Sequence, residues 1–201
     1  MPRPRSDIRL RILDAARGRF VAAGVDASSL RSIAADAGTS LGMIYYYFPS
    51  KDELFLAVVE EVYGQLLGDL ERAMEGAADF VGTLLGLYRR IAAASPLELD
   101  VVRLVAREAL TSHARLESLA QRFRRGHIPL LLQALAGALS RGELRQDLHP
   151  GVLLAATIAL GTLPQFALRV VGGSLPAPLP SSEQLTEQLA EAVLHGIAAP
   201  R

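Results

Sequence analysis

The sequence predicts an all-α fold of about nine helices. Half of the 201 residues are hydrophobic, with Ala and Leu prominent and few alternating β-branched runs. Apolar residues recur three and four positions apart over long stretches, and Gly, Pro and capping Ser or Asp fall between those stretches. With no cysteine, neither a disulfide framework nor a thiolate metal site is available, which fits a cytosolic protein. The start, MPRPRSDIRLRI, has no uninterrupted apolar segment of the signal-peptide kind, and no stretch reaches the roughly 18 apolar residues of a membrane span. The nearest, Gly151 to Leu168, is broken by Gly161, Pro164 and Gln165 and reads as a buried helix.

Residues 1–5, with two prolines and two arginines, read as a flexible basic arm. The first helix, about Asp7 to Ala23, carries Ile8, Ile12, Leu13, Ala16 and Phe20 on one stripe and ends at Gly24. Leu30, Ile33, Ala34 and Ala37 make a short second helix behind the N-cap candidates Ser28 and Ser29. Gly38 supplies positive φ past its end, and Ser40 caps a third helix in which Ile44 and Phe48 face the core. Pro49 ends that helix, and Ser50 with Glu53 forms a capping box for helix 4, which runs from Lys51 to about Glu75. This is a three-helix domain containing a helix-turn-helix, over residues 1–53, joined by helix 4 to a larger helical domain over residues 54–201.

The larger domain continues in the same manner. After a break at Gly76 with Asp79 as a possible cap, helix 5 spans Phe80 to Ala94. Ser95-Pro96 opens helix 6, about Leu97 to Thr111. Helix 7 spans Arg115 to Arg141 with a kink at Pro129, and helix 8 runs from Pro150 to about Val171 with a second kink at Pro164. Residues 172–181 read as a loop, and helix 9 spans Ser182 to Ala198 with Leu185, Leu189, Val193, Leu194 and Ile197 on its apolar stripe.

The third helix carries the chemistry. With Ile44 and Phe48 inward, Leu41, Gly42, Met43 and Tyr45 turn outward, a composition odd for a solvated face and suited to a DNA major groove. Leu41 and Met43 can touch thymine methyls, Gly42 admits close backbone approach, and the hydroxyls of Tyr45 and Tyr47 can bond phosphates. The formal net charge of zero argues against a protein that coats nucleic acid indiscriminately. Residues 1–53 nevertheless carry eight basic against six acidic side chains, and four of the arginines precede residue 12.

The run GTSLGMIYYYFPSKDEL resembles the recognition helix and the start of helix 4 in the tetracycline-repressor (TetR) family of bacterial transcription regulators. The family pattern falls on Gly38, Thr39, Ser40, Gly42, Ile44, Tyr45, Tyr47, Phe48, Ser50 and Lys51, within roughly the first quarter of the chain. The resemblance implies a homodimer binding a double-stranded DNA operator and released from it by a small-molecule effector. It puts Arg31, Leu41, Gly42 and Met43 where bases are touched and Ser29, Tyr45, Tyr47 and Lys51 where phosphates are, with Ser40 capping the reading helix. Leu41 and Met43 depart from the family, which often has polar side chains there. The resemblance also implies that helices 8 and 9 pair with their copies in a second subunit.

For the effector, the larger domain offers a largely apolar set, Leu66, Leu84, Tyr88, Leu104, Phe123, Ile128 and Phe166, each of which is equally well plain core. Arg103 and Arg107 share a face of helix 6; they suit a polar or anionic effector group, or pairing with Glu98 or Asp100. The four histidines lack metal-site spacing, and phosphate-loop, nucleophile-elbow and HExxH motifs are absent, so neither a metal, a cofactor nor an enzyme activity is expected. The alternative reading is a helical small-molecule-binding or catalytic protein whose N-terminal motif is structural.

Overall fold

The structure, a computed structural model, describes residues 5–75, 77–171 and 179–197. The described chain is built from ten helices. They are α1 (Arg5–Ala23), α2 (Leu30–Asp36), α3 (Leu41–Tyr47), α4 (Lys51–Met74), α5 (Phe80–Ala92), α6 (Pro96–Thr111), α7 (His113–Phe123), α8 (His127–Ser140), α9 (Pro150–Val171) and α10 (Ser182–Ile197). They form two compact units, one made of residues 1–65 and 95–122, the other of residues 66–94 and 123–201. The predicted arm falls mostly on residues 1–4, and the predicted break and loop on Gly76 and residues 172–178, which lie outside the described residues.

In the first unit α1 lies against α2 and α6, and α2 against α3. Its core is Ile12, Ala16, Phe20, Val25, Ile33, Ile44, Leu54, Phe55, Leu104 and Leu119, all essentially inaccessible. Phe20 and Phe55 meet edge to face, their centroids 6.4 Å apart. Sequence-local chemistry sets the ends of the short helices. The Ser29 hydroxyl accepts from Arg31 N at 3.2 Å and that of Ser40 from Met43 N at 3.3 Å. Gly38 takes φ +59°, which lets Thr39 N reach Ala34 O and Gly38 N reach Ala35 O, closing α2 with two bonds that a helical Cβ residue would not complete.

The second unit packs α5 against α8, α9 and α10, and α9 against α8 and α10. The core runs through Leu70, Phe80, Leu84, Leu87, Leu131, Leu135, Leu153 and Val193. Asp79 caps α5 through Gly82 N at 2.8 Å, as its position predicts. Tyr88 donates its hydroxyl to Thr157 O at 2.9 Å, and Gln165 Nε2 donates to Tyr88 O and Gly161 O. Burial pushes the Tyr88 phenol far above its ordinary range, so it stays a donor.

Two expectations need correction. The single helix predicted over Arg115 to Arg141 is two, α7 and α8, so ten helices replace about nine. The chain breaks at Arg124-Arg125-Gly126, and Pro129 falls in the first turn of α8, where a proline gives up no helical hydrogen bond and no kink is required. Nor is α9 a buried helix. Its segment Pro150–Arg169 is long and apolar enough to cross a membrane, as the core helix of a soluble protein can also be, and only 22% of that apolar window is buried. Leu153, Thr157, Gly161 and Gln165, at four-residue spacing, form the buried ridge; Val152, Leu160 and Leu163 stand open to solvent.

Close helix approach in the second unit rests on small residues. A Cβ on Gly86 of α5 would stand 2.5 Å from the carbonyl oxygen of Ala73, a backbone atom that cannot swing aside. Gly86→Ala is therefore expected to destabilise the protein by about 1–3 kcal/mol despite the better helix propensity of Ala. Urea unfolding checks this; an unchanged or raised midpoint would show that the contact is loose.

Candidate nucleic-acid interface

The reading surface is built from α2, α3 and the turn between them. Ile44 is fully buried and Phe48 nearly so, which fixes the rotation of α3. On the other side Gly42, Tyr45 and Tyr46 are exposed, the two tyrosines by 52% and 66%, while Leu41, Met43 and Tyr47 are half-buried. Tyr46 stacks edge-on against Tyr47 at 5.1 Å. Tyr46 is the residue the sequence reading passed over. It lies four positions after Gly42, hence on the same face, and that spacing was available as a signal.

The cations of this unit are mostly committed to the protein itself. Arg11 donates to Ala37 O at the end of α2, and Arg19 grips Asp36 with two bonds of 2.6 and 2.9 Å. Arg9 pairs with Glu61 and lies over the Phe48 ring. Lys51, expected at a phosphate, donates to the carbonyls of Asp26 and Ser28, at 2.9 and 3.3 Å. Two of its three ammonium hydrogens are thereby used in holding the loop that presents Ser29. Arg31 is exposed on α2, and among the described residues nothing pairs with it.

Underneath lies an ionic cluster that local sequence patterns do not disclose. Arg115 of α7, 8% exposed, donates from Nε to Asp52 at 2.8 Å, from Nη1 to Glu108 at 2.7 Å, and from both terminal nitrogens to Asp26. Glu108, 2% exposed, accepts in addition from Val25 N at 3.1 Å. Arg107 donates to Phe20 O and Val21 O, the last carbonyls of α1, and its Nε lies 3.6 Å from Glu108, an ion pair without a hydrogen bond. The predicted effector role of Arg107 thus meets a guanidinium already engaged. Arg103, the other candidate on that face, pairs with Asp100 at 3.4 Å.

The remaining effector candidates divide between the units. Leu104, with Arg107, belongs to the first; Leu66, Leu84, Tyr88, Phe123, Ile128 and Phe166 belong to the second. Leu84 and Tyr88 are fully buried; Leu66, Phe123, Ile128 and Phe166 are half-buried. Beside Tyr88 the Thr157 hydroxyl oxygen is enclosed with no hydrogen-bond partner among the described residues.

Residues 12–58, which hold this reading surface, match the family model of bacterial regulatory proteins, tetR family. Over this segment the chain is similar to TetR-family regulators. The nicotine-responsive transcriptional repressor HdnoR of Paenarthrobacter nicotinovorans is 37% identical over 73 residues, 36% of this chain and 38% of that protein. The regulator AcrR of Shigella flexneri is 38% identical over 85 residues, and again 38% of its length is spanned. The chain thus covers well under two thirds of these TetR relatives. The repressor KstR2 of Rhodococcus jostii is 25% identical over 98% of this chain and 94% of its own. Among solved TetR structures, the SmeT–triclosan complex superposes with a TM-score of 0.71 at 21% identity, over 95% of this chain and 91% of that one. The ketosteroid regulator KstR2 of Mycobacterium tuberculosis gives 0.64 at 20% identity, over 100% and 98%. The all-α TetR fold with its N-terminal helix-turn-helix is shared throughout.

Two outcomes follow from the cluster. Arg115→Ala leaves the buried Glu108 without its hydrogen-bonded counter-charge, with only the 3.6 Å approach of Arg107 remaining, and is expected to cost about 3–5 kcal/mol, read by urea unfolding. A loss under about 1 kcal/mol would mean that water reaches the site. The Arg115 and Arg19 guanidiniums hold the carboxyls of Asp26 and Asp36 below their ordinary value. Both groups therefore release protons more readily folded than unfolded. Their contribution is full above the ordinary carboxylate value and fades as pH falls through the lowered ones. Acid titration of stability is expected to flatten in Asp36→Asn relative to the parent; an identical profile would remove Asp36 from the account.

Proposed function

We propose that the protein is a sequence-specific DNA-binding transcription regulator, a repressor released from its operator by a small-molecule effector. The observation that carries this is the helix-turn-helix whose α3, pinned by Ile44 and Phe48, turns an uncharged face of Leu41, Gly42, Met43, Tyr45 and Tyr46 outward within the segment that matches the TetR family model. An outward face of this composition gains little from water and fits a groove. Arg31 reads a base edge, and the hydroxyls of Ser29, Tyr45 and Tyr47 contact phosphates. Lys51 serves chiefly to hold the loop before α2, with one hydrogen left for a phosphate.

The repressor acts as a homodimer through α9 and α10. What supports this is the open apolar face of α9, Val152, Leu160 and Leu163, beside the half-buried Leu185, Leu189 and Leu194 of α10. Two α3 helices then enter successive major grooves of a near-palindrome about one helical turn or somewhat more apart. The effector site lies in the second unit among Leu66, Leu84, Tyr88, Phe123, Ile128 and Phe166. An effector that is largely apolar with a hydrogen-bonding group suits this set, since among the described residues the Thr157 hydroxyl has no hydrogen-bond partner. A relative named nicotine-responsive and a structural neighbour solved in complex with triclosan support this class of ligand without naming it. Such a ligand weakens DNA binding only as far as it prefers the released conformation. Work on an operator places the protein in the cytoplasm.

The first test is footprinting of the purified protein on DNA immediately upstream of its own coding region and, failing a site there, on sequences selected from a random pool. Protection of a near-palindrome is expected, and absence of any selected sequence would overturn the reading. Arg31→Ala should weaken the site by about 1–3 kcal/mol and relax the base preference at one position per half-site. Leu163→Glu, on a side chain 66% exposed, should leave each subunit folded while sedimentation shows monomers and operator affinity drops. A dimer that survives this change would move the interface elsewhere.

A further inference from the structure

We infer that α3 reads C5-methyl groups in the major groove, so that the operator is recognised through thymines and responds to cytosine methylation. This rests on the DNA-binding reading above and adds what is read. The usual hydrogen-bonding readers of base edges are Arg, Lys, Asn, Gln, Ser, Thr and the acidic residues. The sequence of α3, LGMIYYY, holds none of them. What it sets outward at its leading end is Leu41 and Met43, both half-buried and so held in place by the fold while keeping a free apolar surface. Between them, Gly42 is exposed, and a Cβ built there would meet only Ser40 Oγ, at 3.8 Å. Packing within the protein therefore does not call for glycine at this position. Close approach of the helix backbone to the groove floor does, and that approach carries the two flanking apolar side chains to the base edges.

The C5-methyl is the apolar group that base edges present in the major groove, on thymine and equally on 5-methylcytosine. Methylating a cytosine leaves its N4 donor in place and adds this group at the same position. A helix whose readers are a Leu and a Met gains a contact from that change and has no side chain whose hydrogen bond the methyl would obstruct. Arg31, on the neighbouring helix, keeps guanine reading separate from methyl reading.

The test uses the full-length protein and a synthetic duplex of its selected site, with thymines replaced by uracil one at a time and affinity read by fluorescence anisotropy. At the positions facing α3, losing a methyl is expected to weaken binding about fourfold, the factor for one buried methyl-sized group. Leu41→Ala and Met43→Ala should each bind the thymine duplex more weakly yet no longer distinguish thymine from uracil at one position. With cytosine at those positions, 5-methylcytosine should bind about fourfold tighter than cytosine. Uracil tolerated throughout a tightly bound, footprinted site would overturn the methyl reading and leave the DNA-binding reading intact. Losses in the two variants that are equal on thymine and uracil duplexes would assign Leu41 and Met43 to the fold and overturn their role here. A random pool from which nothing is enriched would overturn both readings together.

Discussion

The loop that leads into α2 is tied to the rest of its unit by one buried guanidinium. Arg115 reaches from the start of α7 to the loop after α1 through Asp26, to the first turn of α4 through Asp52, and to α6 through Glu108. A charge so enclosed is tolerated only with excellent geometry and nearly all its donors occupied, and this one meets both conditions. Glu108 extends the set by accepting from Val25 N, and Arg107 closes the end of α1. The result is that the segment between α1 and α2, too short and polar to hold itself, is tied at Asp26 and Val25. From it follow Ser28 and Ser29, and from Ser29 the start of α2. A buried ionic site of this kind adds little net stability over an apolar core of the same shape; what it contributes is a single placement of the loop.

α2 and α3 have seven residues each, and helices of that length do not persist on their own. They exist because caps satisfy their ends and because Ile33 and Ile44 are buried beneath them. Propensity contributes little: three consecutive tyrosines end α3, and glycine is its second residue. Those choices weaken the helix and shape its outer face. That is the pattern expected where a surface is selected for contact rather than for folding.

Much of this was legible in the sequence because it is local. Gly38, Ser40, Asp79 and the Ser95-Pro96 pair act within a turn of their own position, and each sits in the structure where its side chain or φ preference demands. The inward stripe of α1 was equally plain. What escaped is long-range or negative. Arg115 meets Asp26 across 89 positions, and nothing near either residue announces the other. The break between α7 and α8 hides in Arg124-Arg125-Gly126, a run that a periodic pattern steps across. Apolar composition made α9 look buried, whereas full burial is confined to the ridge from Leu153 to Gln165; Leu154 and Ile158 pack partly against the core, and Val152, Leu160 and Leu163 are left open among the described residues. Composition reports that a face is apolar; only packing reports whether the same chain covers it.

The electrostatics of the first unit bear on how such a surface would hold DNA in the proposed role. Arg9, Arg11, Arg19 and Lys51 look like a phosphate-binding set when counted along the sequence, yet each is engaged by a carboxylate or a carbonyl of the same unit. A guanidinium already shared with a carboxylate contributes little counterion release, because its charge is compensated before DNA arrives. Any attraction of the described surface for phosphates then falls to Arg31 and to Lys51, whose bonds to carbonyls leave its charge uncompensated, with neutral hydroxyls and apolar contact beside them. Hydroxyls bond phosphates without neutralising them, and methyl contacts are indifferent to salt. A zero net charge and an uncharged reading helix are thus consistent with each other. In the proposed role, both favour a protein that grips its own site by fit and gains little on any other DNA.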